Sequence, residues 1–389
     1  MNDMNNEILL SAAKEFGTPS FIFDTDEFER KADAIKNALG NIPLCYSIKA
    51  NPFLLHKLPE SLSMVEVCSP GELAICRKLG IKPETIIYSG VNKGAEDIAC
   101  AVDCGAGILT AESRLHAELI NRICLEKGKR ARVILRLTSG NQFGMDPEDI
   151  VGIISEREKY EAVDFIGLHY YSGTQKKNAG VIEKDIGKLE EFIERLNSEC
   201  GYVPSHVEYG PGMAADYFVP PYEEKDCETL RETAELLNSF AKKYPLSVEM
   251  GRFLASSCGT YLTSVADIKN NLGTNYVICD GGINHLKYYG QTMAMQVPPV
   301  TLLGSDEPYE NGYTLCGSLC TTADLLVRRV ELPKLKIGDV LAFGRCGAYT
   351  VTEGTVLFLS RTMPGIMLYS EKDGIRLVRD FYDTYNLNC

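Results

Sequence analysis

The sequence predicts an α/β chain: a (β/α)8 TIM-like barrel followed by an all-β C-terminal domain that also takes in the N-terminal strand. Three observations carry this expectation. Eight short β-rich runs between residues 42 and 250 alternate with helical patterns, which suits a closed parallel barrel better than an open doubly wound sheet. No Gly-x-Gly-x-x-Gly opens the first unit, so a dinucleotide-binding fold gains no support. After about Leu254 helical periods give way to strand-like runs and turns. A length of 389 residues also exceeds most single domains. The expected division is 27–254 for the barrel, with 1–26 plus 255–389 for the β-domain.

Taken in order, residues 8–16 read as a short helix and 19–24 as a strand. A helix capped by Thr25 or Asp26 follows, through Phe28, Ala32, Ile35 and Leu39. Barrel strands are expected at 42–48, 64–67, 85–88, 107–109, 132–137, 164–169, 206–209 and 246–250. Helical patterns lie between them, at 71–79, 95–102, 113–126, 184–196 and 228–242. The second domain is expected to place strands at 259–267, 276–280, 314–316, 325–332, 340–343, 355–359 and 375–378.

Composition narrows the partners. Apolar residues make up 45% and charged ones 24%, ordinary for a soluble globular protein. Forty basic residues against 53 acidic ones leave a net charge of −13 without a basic cluster, which argues against nucleic acid and anionic membranes. No apolar run reaches the roughly 18 residues a membrane span needs. The polar, acidic start from Met1 to Glu7 is wrong for a signal peptide. The 14 scattered cysteines therefore read as reduced thiols of a cytoplasmic protein. Cys316-x-x-x-Cys320 has no second pair beside it, and the chain holds five histidines, so no metal is expected.

One segment stands out chemically. Leu44-Cys45-Tyr46-Ser47-Ile48-Lys49 reads as a buried strand ending on a lysine, stopped at once by Asn51-Pro52. A poorly solvated ammonium there has a lowered pKa and can form an imine with a carbonyl compound. The same position also suits a snorkelling surface lysine, and the segment alone leaves both readings open. In a barrel, chemistry sits at the carboxyl ends of the strands, where Lys49, Cys68, Lys93, His169, Gly210 to Gly212 and Glu249 to Arg252 also fall.

The ordered motifs resemble the fold-type III pyridoxal-phosphate decarboxylases, the family that contains diaminopimelate and ornithine decarboxylase. Tyr46-Ser47-Ile48-Lys49-Ala50-Asn51 matches its Tyr-x-x-Lys-Ala-Asn segment, and Glu66 its acidic residue on the second strand. His169 to Gln175 matches His-x-x-x-Gly-(Ser/Thr)-Gln, Gly210-Pro211-Gly212 a triple-glycine loop, and Glu249-Met250-Gly251-Arg252 a Glu-Pro-Gly-Arg. Cys320 with Asp324 matches Cys-x-x-x-Asp, and Gly347-Ala348-Tyr349 is intact. The resemblance implies pyridoxal 5'-phosphate as cofactor, held by Lys49 as an internal aldimine. Glu249 would then face the ring nitrogen, with His169 and Tyr171 at the ring. Gly173, Thr174, Gly210, Gly212, Gly251 and Arg252 would serve the phosphate. It further implies a homodimer with shared sites, in which Cys320 reprotonates Cα from the partner subunit and Tyr349 contacts the cofactor. The reaction implied is α-decarboxylation of an amino acid.

Each residue also has a plainer reading. Glu249 fits a surface carboxylate, the glycines fit ordinary turns, and Cys320 fits a small buried hydrophobe.

Departures from the family pattern bear on substrate. Pro211 removes one donor from the phosphate loop, and Tyr171 replaces a histidine while keeping an aromatic face. Thr321 stands where an acidic residue would receive the substrate's distal ammonium. The Asp280-Gly281-Gly282-Ile283-Asn284 turn survives without the arginine that follows it in the family; Lys287, His285 or Tyr288 could take its place. Free diaminopimelate and free ornithine are therefore poor candidates. The Asn284-His285-Leu286 stretch resembles members that decarboxylate an aminoacyl group on an acyl-carrier protein. Two alternatives stay open: an amino-acid racemase on the same fold, and a non-catalytic cofactor-binding or regulatory paralogue.

Overall fold

A computed structural model describes residues 5–389. Helix α1 (Asn6–Phe16) leads to strand β1 (Ser20–Asp24), on whose end α2 (Thr25–Leu39) begins. Asp24 starts that helix by accepting from the amides of Asp26 and Glu27 at 2.9 and 3.0 Å.

Among the described residues, eight parallel strands then close into a barrel: β2 (Leu44–Ser47), β3 (Met64–Val67), β4 (Ile86–Tyr88), β5 (Ile108–Ala111), β6 (Ala131–Leu137), β7 (Val163–Tyr171), β8 (His206–Gly210) and β9 (Leu246–Met250). The outer helices are α3 (Pro70–Lys78), α4 (Ala95–Cys104), α5 (Arg114–Glu126), α6 (Pro147–Ser155), α7 (Ala179–Cys200) and α8 (Tyr222–Ala241). Several start on side-chain caps that also end the preceding loop. Ser69 accepts from the Glu72 amide, Ser113 from that of His116, and Asn178 from that of Val181. α6 had no counterpart in the sequence reading, because its nine residues are short and Pro147 at its start resembles a turn.

The barrel interior fills from alternate positions of its strands. Cys45, Ile87, Ile108, Ile134 and Ile166, from five different strands, meet in one buried cluster. Parallel strands buried on both faces read as nearly continuous apolar runs, which is why these eight are legible.

A short helix, α9 (Arg252–Ala255), follows β9. The remaining strands are β10 (Gly259–Asn271), β11 (Thr274–Cys279), β12 (Val300–Leu302), β13 (Asn311–Cys316), β14 (Leu325–Leu332), β15 (Val340–Phe343), β16 (Gly365–Ser370) and β17 (Gly374–Arg379). With β1 they form a nine-stranded sheet among the described residues, in the order β14-β13-β11-β10-β1-β16-β17, with β15 on β10 and β12 on β15. β1 pairs antiparallel with β10 and parallel with β16, so the N-terminal strand lies inside this sheet.

The expected strand at 355–359 is not one. It is a turn leading into a 3-10 segment, Phe358–Ser360, in which Leu359 takes φ +58°. A left-handed residue breaks the extended repeat, whatever the apolar pattern of the run. Strands β12 and β16 were not anticipated. β12 has three residues, and β16 begins on the glycine of Pro364-Gly365, which reads as a turn.

The chain divides into two units. One comprises the described residues up to Lys31 together with Asp216–Tyr222 and Leu254–Cys389; the other is Ala32–Ala215 with Glu223–Phe253. Segment Asp216–Tyr222, absent from the sequence-based division, goes with the sheet unit. No helix among the described residues is long and apolar enough to cross a membrane.

Ile134 is fully buried in the interior cluster. Ile134→Ala is expected to lower unfolding stability by about 2–5 kcal/mol through lost burial plus a cavity. Urea unfolding of the two proteins checks this.

Candidate active site

Lys49 owes its position to local geometry. A 3-10 turn, Ile48–Ala50, follows β2, and Asn51 is extended at φ −166° because a proline follows it. The Asn51 side chain accepts from the Phe53 amide at 3.1 Å, and its carbonyl accepts from the Tyr46 hydroxyl at 2.9 Å. The turn leaves the lysine at the carboxyl rim of the barrel.

There its Nζ meets two carboxylates: Glu66 Oε2 at 2.5 Å and Glu249 Oε1 at 3.5 Å. Both carboxylates are buried, and the lysine side chain is 36% exposed. Cys68 Sγ lies 3.4 Å from the same nitrogen and donates to Glu66 Oε1 at 3.1 Å. Ser47 Oγ donates to Glu249 Oε1 at 2.7 Å. His169 Nε2 stands 3.3 Å from Glu249 Oε2 without hydrogen-bond alignment. Burial opposes the charge of Glu249, but Lys49, His169 and Ser47 outweigh it and hold the carboxyl well below the usual range.

A third carboxyl, Glu208 on β8, lies nearby, fully enclosed, with neither oxygen hydrogen-bonded. Burial first, then the charges of Glu249 and Glu66, push it well above the usual range, so the neutral acid is the form favoured there. The sequence reading missed Glu208. The available signal was an acidic residue inside the apolar run His206–Tyr209.

Beside this cluster is a backbone cradle. Gly212 takes φ +60°, and a Cβ there would run into the Gly173 carbonyl. A Cβ at Gly210 would strike the Tyr171 ring at 2.7 Å. Arg252 Nε donates to Thr174 Oγ1 at 3.3 Å, joining the end of β9 to the segment after β7. Burial raises the Tyr171 hydroxyl pKa, which keeps the phenol neutral. Thus Lys49, Glu66, His169 and Glu249 converge, with Tyr171, Gly173, Thr174, Gly210, Gly212, Gly251 and Arg252 at the adjoining strand ends, loops and helix start.

A further cluster, of which the sequence reading named only Lys93, sits at the ends of β4 to β6. Arg136 Nη1 donates to Glu112 Oε1 at 2.7 Å, and the Gly144 amide donates to Glu112 Oε2 at 3.1 Å. Lys93 is 4% exposed and gives its ammonium protons to the carbonyls of Ser89, at 3.2 Å, and Gly90.

The remaining candidates belong to the sheet unit. Cys320 and Thr321 are exposed on the loop between β13 and β14. Asp324 is buried and anchors that loop: its two oxygens accept from the amides of Ile283, at 2.8 Å, and Leu319, at 2.7 Å. Thr321 and Asp324 help line a cavity of about 960 Å³ that also includes Tyr276, Tyr313, Arg328 and Arg329. Tyr288 is buried, and its hydroxyl donates to the Gly344 carbonyl at 2.7 Å. Lys287 is exposed, 3.9 Å from Glu353. His285 is buried against Tyr261 and Asn284, and burial lowers it to about 4. Tyr349 is half-buried at φ +65°. Among the described residues no cluster could hold a metal ion.

A closed β/α barrel whose rim carries a carboxylate-flanked lysine beside a glycine cradle defines an enzyme that works through a carbonyl cofactor. The chain belongs to the pyridoxal-dependent decarboxylases: that family's pyridoxal-binding domain matches residues 25–256. It is 25% identical to a diaminopimelate decarboxylase of Aquifex aeolicus, over 88% of this chain and 84% of that one. It is 27% identical to an L-glutamyl-[BtrI acyl-carrier protein] decarboxylase of Niallia circulans, over 95% and 93%. Diaminopimelate decarboxylase of Methanocaldococcus jannaschii, solved with L-lysine, shares the fold at a TM-score of 0.86 and 24% identity, covering 98% and 93%. The cofactor is therefore pyridoxal 5'-phosphate and the activity that of a carboxy-lyase. The residues present fit that cofactor. Gly210 and Gly212 leave open backbone where side chains would intrude, and Glu249 keeps a buried oxygen without a hydrogen bond.

Burial pushes Lys93 down to about 8, with Glu112 working the other way. A lysine of lowered folded pKa destabilises the fold fully below about pH 8, and this penalty fades as pH rises toward its unfolded value near 10.4. Unfolding stability is expected to gain across that window in the native protein, and Lys93→Met is expected to lack the gain. Urea titrations at pH 7, 9 and 10 check this.

Proposed function

We propose that this decarboxylase acts on an aminoacyl group presented by an acyl-carrier protein, in a homodimer whose sites are completed by Cys320 of the partner subunit. The observation that carries the substrate reading is the chemistry around Thr321. Among the described residues lining its cavity, Asp324 is the one carboxylate, and both its oxygens are engaged by backbone amides. Arg328 and Arg329 add positive charge to the same lining. A distal ammonium, as on diaminopimelate or ornithine, would meet no free carboxylate there, and an unpaired charge leaving water is costly. The Niallia circulans relative, named for a carrier-bound substrate, supports the same reading.

When bound, the cofactor supplies the electron sink that side chains lack. Lys49 would hold it through its amine, which the substrate's amine would displace. Glu249, its carboxyl held low, would accept a hydrogen bond from the protonated ring nitrogen and so keep positive charge at that nitrogen. Glu66 and Ser47 orient the lysine and that carboxylate. His169 and Tyr171 would present aromatic faces to the ring, and the glycine cradle with Thr174 and Arg252 would receive the phosphate. After CO2 departs, the Cys320 thiol would give its proton to Cα, and Tyr349 of the same subunit would contact the cofactor.

Purified protein offered glutamyl-carrier protein and free amino acids is expected to release CO2 from the carrier-bound substrate. Turnover of free diaminopimelate with no loss from any aminoacyl carrier would overturn the substrate reading. Cys320→Ala is expected to cut turnover by about 10²- to 10⁴-fold, the usual range for loss of a proton donor. Mixed with Lys49→Ala it should recover activity through hybrid dimers, in about a quarter of all sites at random pairing. No recovery on mixing, with exchange of subunits verified, would reject shared sites.

A further inference from the structure

Behind the glycine cradle lies a buried polar cluster with no assigned role. Asp185, in the second turn of α7, receives three donors on a single oxygen. Lys176 Nζ and Ser172 Oγ each lie 2.6 Å from its Oδ2, and the Tyr209 hydroxyl lies 3.0 Å from it. The Lys176 and Asp185 side chains are each 6% exposed, and Tyr209 is fully buried. The Lys176 ammonium also lies over the Tyr209 ring, 5.5 Å from its centroid.

The donors come from the two segments that form the cradle. Ser172 and Lys176 flank Gly173 and Thr174, and Tyr209 directly precedes Gly210. The segments are also joined by backbone. The Lys176 amide donates to the Gly212 carbonyl at 2.9 Å, and the Ala214 amide to the Lys176 carbonyl at 3.1 Å. Gln175 adds two bonds to the backbone of Ala215, at 2.7 and 3.0 Å. Asp185 therefore holds both segments from one point on a rigid helix.

We infer that Asp185 is a positioning residue, which with Lys176, Ser172 and Tyr209 sets the two backbone segments at the spacing that admits the cofactor's phosphate. This rests on the cradle as the phosphate site. The arrangement suits the task. Backbone amides bind phosphate well only when their directions converge, and charge-assisted bonds to one carboxylate fix three residues with little freedom. Burial lowers the Lys176 ammonium pKa while Asp185 raises it, so the charge of the lysine depends on this partner. Pro211 supplies no amide, which makes the aim of the remaining donors more critical.

The test compares affinities for pyridoxal 5'-phosphate and for pyridoxal, which lacks the phosphate, by absorbance titration of the apoenzyme. Asp185→Asn is expected to lower the preference for the phosphorylated form by about 10-fold or more, the scale on which loss of a supporting shell acts. Pyridoxal affinity should stay unchanged, which a general loss of structure would not allow. If Asp185→Asn fails to fold, Lys176→Met with Asp185→Leu replaces the pair by apolar side chains and should restore the melting temperature but not the preference. Tyr209→Phe removes one of the three donors and should give a smaller drop in the same ratio. A folded variant of the pair with the native ratio overturns the inference. Absence of any phosphate preference in the native protein overturns the cradle reading itself.

Discussion

The barrel rim is organised by one electrostatic constraint: a single lysine amine must neutralise the charge of buried carboxylates. Glu66 and Glu249 lie within 2.5 and 3.5 Å of Lys49 Nζ, and Glu208 is enclosed close by. Three ionised carboxylates in so small a space would repel strongly, and burial would magnify the repulsion. The charges are divided instead. Glu249 is driven down by Lys49, His169 and Ser47, while Glu208 is driven up by burial and by its neighbours' charges. The same set of groups thus pushes one carboxyl down and the other up, so the charge at the rim is shared unequally.

The surrounding structure keeps that cluster in place. The Asn51-Pro52 turn fixes where β2 ends, and the Tyr46 hydroxyl closes it from within the strand. Cys68 and Ser47 each give one hydrogen bond to a different carboxylate, so neither can swing away from the lysine. On the other side of the rim, Glu112 is held by Arg136 and Gly144. In the sheet unit Asp324 does comparable work, fixing the loop of Cys320 and Thr321 with two backbone bonds. Acidic side chains in this chain repeatedly serve as anchors for loops, at Asp24, Glu112, Asp185 and Asp324.

Much of the fold was legible from residues because parallel barrel strands are buried on both faces and show as apolar runs. The eight strands were each anticipated to within a few residues. Errors concentrate where local pattern and tertiary pairing part company. Residues 355–359 carry Val356, Leu357 and Leu359, an apolar look that suggested a strand, yet Leu359 adopts a left-handed conformation and the run turns. β16 begins on the glycine of a Pro-Gly that locally signals a turn, and becomes a strand because β1 and β17 flank it. The site divides similarly. Lys49, His169 and Glu249 could be named from motifs, whereas Glu208 and the Arg136–Glu112 pair could not, since neither belongs to a recognised spacing.

By itself the sequence determined the fold class and the type of cofactor chemistry, and it singled out the lysine as a candidate, because each is carried by short runs of neighbouring residues. Tertiary structure decided the rest: which carboxyl is charged, which amides converge, and what Asp185 and Asp324 hold. Those properties arise between residues far apart in the chain. Ser47 lies 202 positions from the Glu249 it bonds, and Asp324 lies 41 from Ile283. Burial and distance set a group's charge, and neither exists until the barrel closes.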